Sequence, residues 1–363
     1  MINYRDPRFH LFFIAFVLSL TGLLFSYSAG SLQAMRLGRS DTYFLMKQLL
    51  SCVLGFICMF AAYKIPLEFY RKKIVFLFFG TLILLIAVFF QREANGAHRW
   101  IMLPVFSFQP SELAKFTVVV YLAHYLDKKY DKMADFTRGF LPATIMVGTL
   151  AALIMLEPDF GTTVLITSVA FTVLIIGGAK GRHVMGILGF LLPLFIASLF
   201  LGYRRGRLLM FLDPWADRLG SGYQLVQSLS AVGSGGVYGK GIGNSTQKLF
   251  FLPEAHTDFV YAIISEETGI LGAMAVALAI TLFFRIAVKA ALKQRDRYKK
   301  LVLIGVSCML FYQSVINIGV VLGILPTKGI TLPFISYGGS ALMIALFFVG
   351  ILLRGIEESE ESG

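Results

Sequence analysis

Long apolar stretches alternate with short polar breaks along almost the whole chain, and they are too long and too uniformly apolar for a soluble fold. A helix needs about 20 mainly apolar residues to cross the hydrocarbon layer of a membrane. Ten intervals approach that length: about 9–30, 43–63, 74–90, 109–126, 140–156, 161–177, 184–203, 259–284, 301–325 and 338–353. None alternates as a membrane strand would, and backbone groups in lipid must be satisfied internally, so the pattern predicts helices. The expected fold is all-α: a polytopic membrane protein of ten transmembrane helices, with a long extracytoplasmic loop, about 204–258, between the seventh and eighth. The first interval follows Arg5 and Arg8 and lacks a signal-peptide cleavage pattern, so it is expected to stay as an anchor. Residues 1–363 read as a single membrane domain, ending in a short acidic tail, Glu357-Glu358-Ser359-Glu360-Glu361.

Composition agrees: 57% of the 363 residues are hydrophobic and 15% charged, against roughly 45–50% and about 25% in soluble domains. The basic residues set the expected orientation. With the N-terminus inside, the inner segments carry twenty, from Arg5 and Arg8 through the run Arg285 to Lys300 to Arg354. The short outer loops carry five: Arg36, Arg39, Arg92, Arg99 and Lys328. Six more lie in the long segment. Both termini are therefore expected in the cytoplasm. The net charge of +12 is spread over these inner loops and forms no single stripe, so no nucleic-acid partner is expected. Cys52, Cys58 and Cys308 all fall inside apolar intervals and make no CxxC pair, which suits buried thiols.

Ionisable groups in or beside apolar spans are costly, so each is a candidate site residue. They gather on the outer side. Arg99 and Trp100 stand at the outer interface, where arginine can grip phosphate and tryptophan can lie at headgroup depth. Pro110 and Ser111 suit a helix start, after which Glu112 and Lys115 fall three apart on one face. Those two either neutralise each other inside the bundle or also line a groove. Glu157-Pro158-Asp159-Phe160-Gly161 reads as a tight turn, in which Asp159 is a turn former or a site residue.

The long segment opens with Tyr203-Arg204-Arg205-Gly206-Arg207 and Asp213-Pro214-Trp215-Ala216-Asp217, an interfacial stretch. The glycine run from Gly233 to Gly243 is either a flexible loop or a place where backbone N–H groups approach a phosphate. Then Glu254, His256 and Asp258 alternate up to the eighth interval, which carries Glu266 and Glu267 within its first turns. Asp258 is the candidate base for a hydroxyl proton. Glu254, His256 and Asp258 could instead hold a divalent cation, although their spacing matches no specific metal motif.

Three long motifs carry a resemblance: Phe251-Leu252-Pro253-Glu254-Ala255-His256-Thr257-Asp258-Phe259, Phe108-Gln109-Pro110-Ser111-Glu112-Leu113-Ala114-Lys115, and Leu325 through Ser340. They resemble the signatures of the SEDS family, and the likeness runs from about Phe12 to Arg354. Asp213-Pro214-Trp215-Ala216-Asp217, Gly220 to Gln224 and Asn317 to Gly323 resemble the family's division branch more than its elongation branch. The resemblance implies a peptidoglycan glycosyltransferase that polymerises lipid II into glycan at the outer face of the cytoplasmic (inner) membrane during cell division. It implies a class B penicillin-binding transpeptidase and other division proteins as partners. It also implies that Asp258 matches the family's essential aspartate, and that Trp100, Glu112, Lys115, Asp159 and Glu266 match its cavity positions. Two departures stand out: Glu157 occupies a place where glutamine is common, and Ser265 and Thr268 replace the usual glycine and leucine.

The expected chemistry has Asp258 activating a sugar 4-hydroxyl, directly or through a divalent cation (Mg or Mn), with no organic cofactor. Arg99 and Lys115, with Lys240 or Lys248, would stabilise a departing diphosphate. Glu254 and His256 are further substrate-binding candidates. The rival readings are a lipid II flippase or transporter, an elongation-type polymerase, and a noncatalytic scaffold. A transporter would place its ionisable groups near the midplane and show inverted repeats, and neither feature is visible.

Overall fold

The computed structural model describes residues 6–91, 98–102, 107–199, 211–220, 222–249, 252–253, 255–327 and 329–361. It is a helical bundle. In chain order the helices are α1 (Pro7–Arg36), α2 (Tyr43–Lys64), α3 (Leu67–Lys72), α4 (Ile74–Val88), α5 (Pro110–Lys128), α6 (Leu141–Leu156), α7 (Phe160–Ile176), α8 (Gly181–Leu199), α9 (Tyr223–Gly235), α10 (Val260–Lys293), α11 (Arg297–Val321) and α12 (Gly339–Glu361). A two-residue antiparallel ladder pairs β1 (Ile101–Met102) with β2 (Ser107–Phe108) just before α5.

Helix starts follow local chemistry. Asp6 caps α1 by accepting from the Arg8 N–H at 2.8 Å, with Pro7 in the first turn. Asp296 caps α11 through the Lys299 N–H at 2.9 Å. Each cap satisfies a donor that the helix cannot.

Among the described residues six helical stretches are long and apolar enough to cross a membrane: Pro7–Arg36, Tyr43–Lys64, Phe136–Leu156, Val260–Lys293, Arg297–Val321 and Gly339–Glu361. Two shorter apolar helices, Ile74–Val88 and Phe160–Ile176, accompany them. The chain is a multi-pass membrane protein. α11 and α12 form the centre, with 72% and 67% of their apolar windows buried, while α2 and α10 bury only 28% each and turn the rest outward. Outward-facing residues are themselves apolar, such as Phe76, Phe79 and Ile83 on α4, as expected of a surface meeting lipid. Cys52 and Cys308 are buried and Cys58 half-buried.

Two expectations are corrected. The interval after Tyr203 is not all loop, because Tyr223–Gly235 forms α9, whose Leu225, Val226 and Ala231 are buried where it packs on α10. The acidic tail is not a tail either, because Glu357 to Glu361 continue α12 and dock on α1, α2, α3 and α11. The reason is charge: Arg8, Lys299 and Arg354 lie at that end of the bundle and receive the carboxylates.

Candidate active site

The opposite end of the bundle gathers the start of α5, the α6–α7 turn, the start of α10, the end of α11 and the start of α12. Hydrogen bonds link all of them. At α5, Pro110 fixes the first turn and buries Glu112 and Lys115, whose Nζ lies 2.6 Å from Glu112 Oε1. A buried ammonium needs such a partner. Lys115 Nζ also donates to Gln313 Oε1 on α11 at 2.9 Å. Gln313 Nε2 in turn donates to the Thr331 carbonyl at 2.9 Å and to its Oγ1 at 3.1 Å, fixing the strap that joins α11 to α12.

Asp258 lies half-buried in the turn before α10. Its carbonyl accepts from Asn317 Nδ2 at 2.8 Å, and the same amide donates to the Ile330 carbonyl at 2.6 Å. The strap passes close enough that a Cβ on Gly329 would stand 3.0 Å from Asp258 Oδ2, a tight contact that glycine avoids. His256 is buried between the rings of Phe44 and Tyr337, at centroid distances of 4.6 and 5.3 Å, and its carbonyl accepts from the Tyr337 N–H. Packing of that kind makes His256 a wall of the turn. Glu254 and Lys328 lie outside the described residues.

The α6–α7 turn closes another side. Asp159 is buried and caps α7 through the Thr162 N–H at 3.1 Å, while Gln109 Nε2 donates to its Oδ2 at 3.3 Å. The Gln109 N–H donates to Ser340 Oγ at the start of α12, three residues beyond Tyr337. Arg99 is half-exposed and donates to the carbonyls of Glu157, at 3.0 Å, and Pro158. Trp100 beside it is half-buried. Glu157 is fully buried and neither carboxylate oxygen has a hydrogen-bond partner. Burial, helped by the Asp159 carboxylate and opposed by Arg99, pushes its pKa up to about 8.

Lys240 and Lys248 pair with two carboxylates further along α10. Lys240 Nζ lies 2.6 Å from Glu266 Oε1 and Lys248 Nζ 3.1 Å from Glu267 Oε1. Glu266 also accepts from the Thr246 hydroxyl at 2.7 Å, the Ser245 hydroxyl and the Gln247 N–H. Glu267 accepts from the Gly243 N–H at 2.9 Å and from Ser28 of α1 at 2.6 Å. The glycine run is thereby knitted to α10. Its N–H groups at Lys240 and Gly241 donate to the carbonyls of Glu266 and Glu267, each at 3.0 Å. At Lys240, Gly241 and Gly243 the protein's own carbonyls and carboxylates hold N–H groups that the sequence left either in a flexible loop or open to a phosphate.

Gln313 and Asn317 are residues that the sequence reading left without a role. The available signal was two amides four apart, hence on one face, inside an otherwise apolar span. Among the described residues no group of three or more His, Cys, Asp or Glu is gathered closely enough to hold a metal ion.

The FtsW/RodA/SpoVE family model, described as "Cell cycle protein", matches residues 9–361. The chain belongs to the FtsW/RodA/SpoVE family. Among relatives, the probable peptidoglycan glycosyltransferase FtsW of Geobacter metallireducens is 39% identical over 360 residues, covering 97% of this chain and 96% of its own. Stage V sporulation protein E of Bacillus subtilis is 37% identical over 357 residues, covering 96% of each. Solved structures of the family share the fold. A chain from the structure "Structural coordination of polymerization and crosslinking by a peptidoglycan synthase complex" superposes with a TM-score of 0.80 at 28% identity, covering 96% of this chain and 97% of that one. Thermus thermophilus Rod shape determining protein RodA gives 0.69 at 25% identity, covering 96% of each.

Proposed function

We propose that this FtsW/RodA/SpoVE-family chain is a peptidoglycan glycosyltransferase that polymerises lipid II at the outer face of the cytoplasmic membrane, in septal wall synthesis during cell division. It would span the membrane ten times with both termini in the cytoplasm and work with a class B penicillin-binding transpeptidase. The observation that carries the reading is the juxtaposition of Asp258 with the strap at Gly329, tied through Asn317, Gln313 and Thr331 to the Glu112–Lys115 pair. The names of its relatives support the reaction class, and the basic residues at the Arg8, Lys299 and Arg354 end support the orientation.

In this mechanism Asp258 takes the proton from the acceptor sugar's 4-hydroxyl. The freed oxygen attacks the donor's anomeric carbon, the bond from that carbon to the diphosphate oxygen breaks, and the polyprenyl diphosphate leaves with the electron pair. Positive charge for the leaving group comes best from side chains that reach solvent. Arg99 is half-exposed and Lys240 has 31% of its side chain accessible. Lys115 and Lys248, at 2% and 9%, are buried against carboxylates and act through their field. Trp100 and Asp159 border the same end and complete the acceptor side.

The test is polymerisation of fluorescent lipid II by the reconstituted protein, with and without a partner transpeptidase. A glycan ladder that Asp258→Asn abolishes is expected. Scrambled lipid without a ladder would favour transport, and a ladder unaffected by Asp258→Asn would remove the base from Asp258.

A further inference from the structure

We propose that Asn317 is a positioning residue for Asp258, holding the aspartate's backbone and the Gly329–Thr331 strap at a fixed spacing through the two protons of one buried amide. The proposal rests on the polymerase reading above. Asn317 is 1% exposed and Gln313, one turn earlier on the same face of α11, is 5% exposed. Burying an amide inside an apolar bundle costs free energy unless its hydrogen bonds are made. Both are put to use here.

One proton of Asn317 Nδ2 goes to the Asp258 carbonyl at 2.8 Å and the other to the Ile330 carbonyl at 2.6 Å. Those carbonyls belong to two segments that meet only by folding. The residue before Ile330 is Gly329, where a Cβ would stand 3.0 Å from Asp258 Oδ2. Separating the two carbonyls therefore changes the distance between the strap and the carboxylate. Gln313 repeats the arrangement one turn away, with Thr331 on its donor side and Lys115 on its acceptor side. The face of α11 thus sets the relative position of the base, the strap and the Glu112–Lys115 pair.

The donor half of Asn317 does this, because its Oδ1 is buried without a hydrogen-bond partner. Shape alone is therefore not what the position selects. An aspartate at 317 keeps the shape, loses both donors and faces two carbonyl oxygens with a negative charge. Protonating it restores one O–H donor.

The experiment compares wild type, Asp258→Asn, Asn317→Ala and Asn317→Asp in the reconstituted lipid II assay, each checked by thermal unfolding. Wild-type glycan synthesis that Asp258→Asn abolishes establishes the underlying reading independently. Asn317→Ala is then expected to lower kcat about 10- to 100-fold with KM nearly unchanged, the cost of a base displaced by an ångström or less. For Asn317→Asp, burial against the Asp258 and Ile330 carbonyl oxygens raises the variant carboxyl's pKa well above the ordinary aspartate value, so the ratio of its kcat to that of wild type is expected to rise as pH falls from about 8 to about 5.5 and the carboxyl gains a proton. A wild-type kcat in Asn317→Ala, or a loss confined to KM, would overturn the proposal. If the alanine variant does not fold, the aspartate series decides: a ratio flat with pH overturns positioning, and a rising ratio supports it.

Discussion

The ammonium of Lys115 sits 2.6 Å from the carboxylate of Glu112, one turn earlier on α5, and both side chains are buried. Breaking a buried pair from one side strands the other charge, at a cost of about 3–5 kcal/mol, whereas replacing both by neutral groups of similar volume is often tolerated. Glu112→Gln and Lys115→Met are each expected to lower thermal stability in detergent by that order, and the double variant by clearly less than the sum. If the double variant is simply additive, the pair is not coupled.

Glu157 gives a pH dependence whose sign can be worked out. Its folded pKa, about 8, lies above the ordinary 4.5, so the folded protein holds this proton more tightly than the unfolded chain does. The stabilisation is fully present below pH 4.5 and is lost as pH rises, at about 1.4 kcal/mol per unit, until the folded group titrates. The charges facing it are Asp159, which raises the pKa, and Arg99, which lowers it. Glu157→Gln is neutral at every pH. Relative to wild type, its melting temperature is expected to climb between pH 6 and pH 8, and parallel curves would contradict the buried, protonated carboxyl.

Much of this was legible in the sequence, and the rest failed for identifiable reasons. Pro110 and the three-residue spacing of Glu112 and Lys115 are local signals, so the start of α5 and its ion pair could be read directly. α9 could not, because glycines and serines in Tyr223–Gly235 disguise a helix whose stability comes from packing on α10. The same distant contacts redirect the glycine run onto Glu266 and Glu267. Asn317 and Gln313 carry no charge to mark them, and their partners are tens of residues away or on other helices.

The break in α10 at Gly269 is a requirement of that knitting. Gly269 has φ +69°, and a Cβ there would collide with the Val237 carbonyl oxygen and the Gly239 nitrogen. Its φ and ψ of 69° and −170° fall in a region that is essentially glycine-only and costs a residue with a side chain about 1–3 kcal/mol. Gly269→Ala is therefore expected to detach the 236–249 loop from α10, seen as faster proteolysis within the loop and a lower melting temperature. Gly233→Ala is the control, because a Cβ there meets nothing within 4 Å. Equal effects from the two variants would show that the close approach at Gly269 is unimportant.

At the other end of the bundle, Glu358 and Glu360 are predicted to differ sharply although they are two residues apart on α12. Glu358 is 6% exposed; its Oε1 accepts from the Leu67 N–H at 3.1 Å and Arg354 Nε at 2.9 Å, and its Oε2 lies in an ion pair 2.8 Å from Lys299 Nζ. Removing it leaves a buried backbone donor and a lysine without that acceptor, a loss of about 1–3 kcal/mol. Glu360 meets Arg8 at 2.9 Å, but 54% of its side chain is exposed, and solvent screening holds such a pair below about 1 kcal/mol. Thermal unfolding of Glu358→Ala and Glu360→Ala in the same detergent is expected to show a clear fall for the first and little change for the second. Raising the salt concentration should erase what remains of the Glu360 effect while leaving most of the Glu358 effect, since only the exposed pair is screened. Equal losses would mean that the end of α12 is held by surface charge rather than by the buried cap on α3.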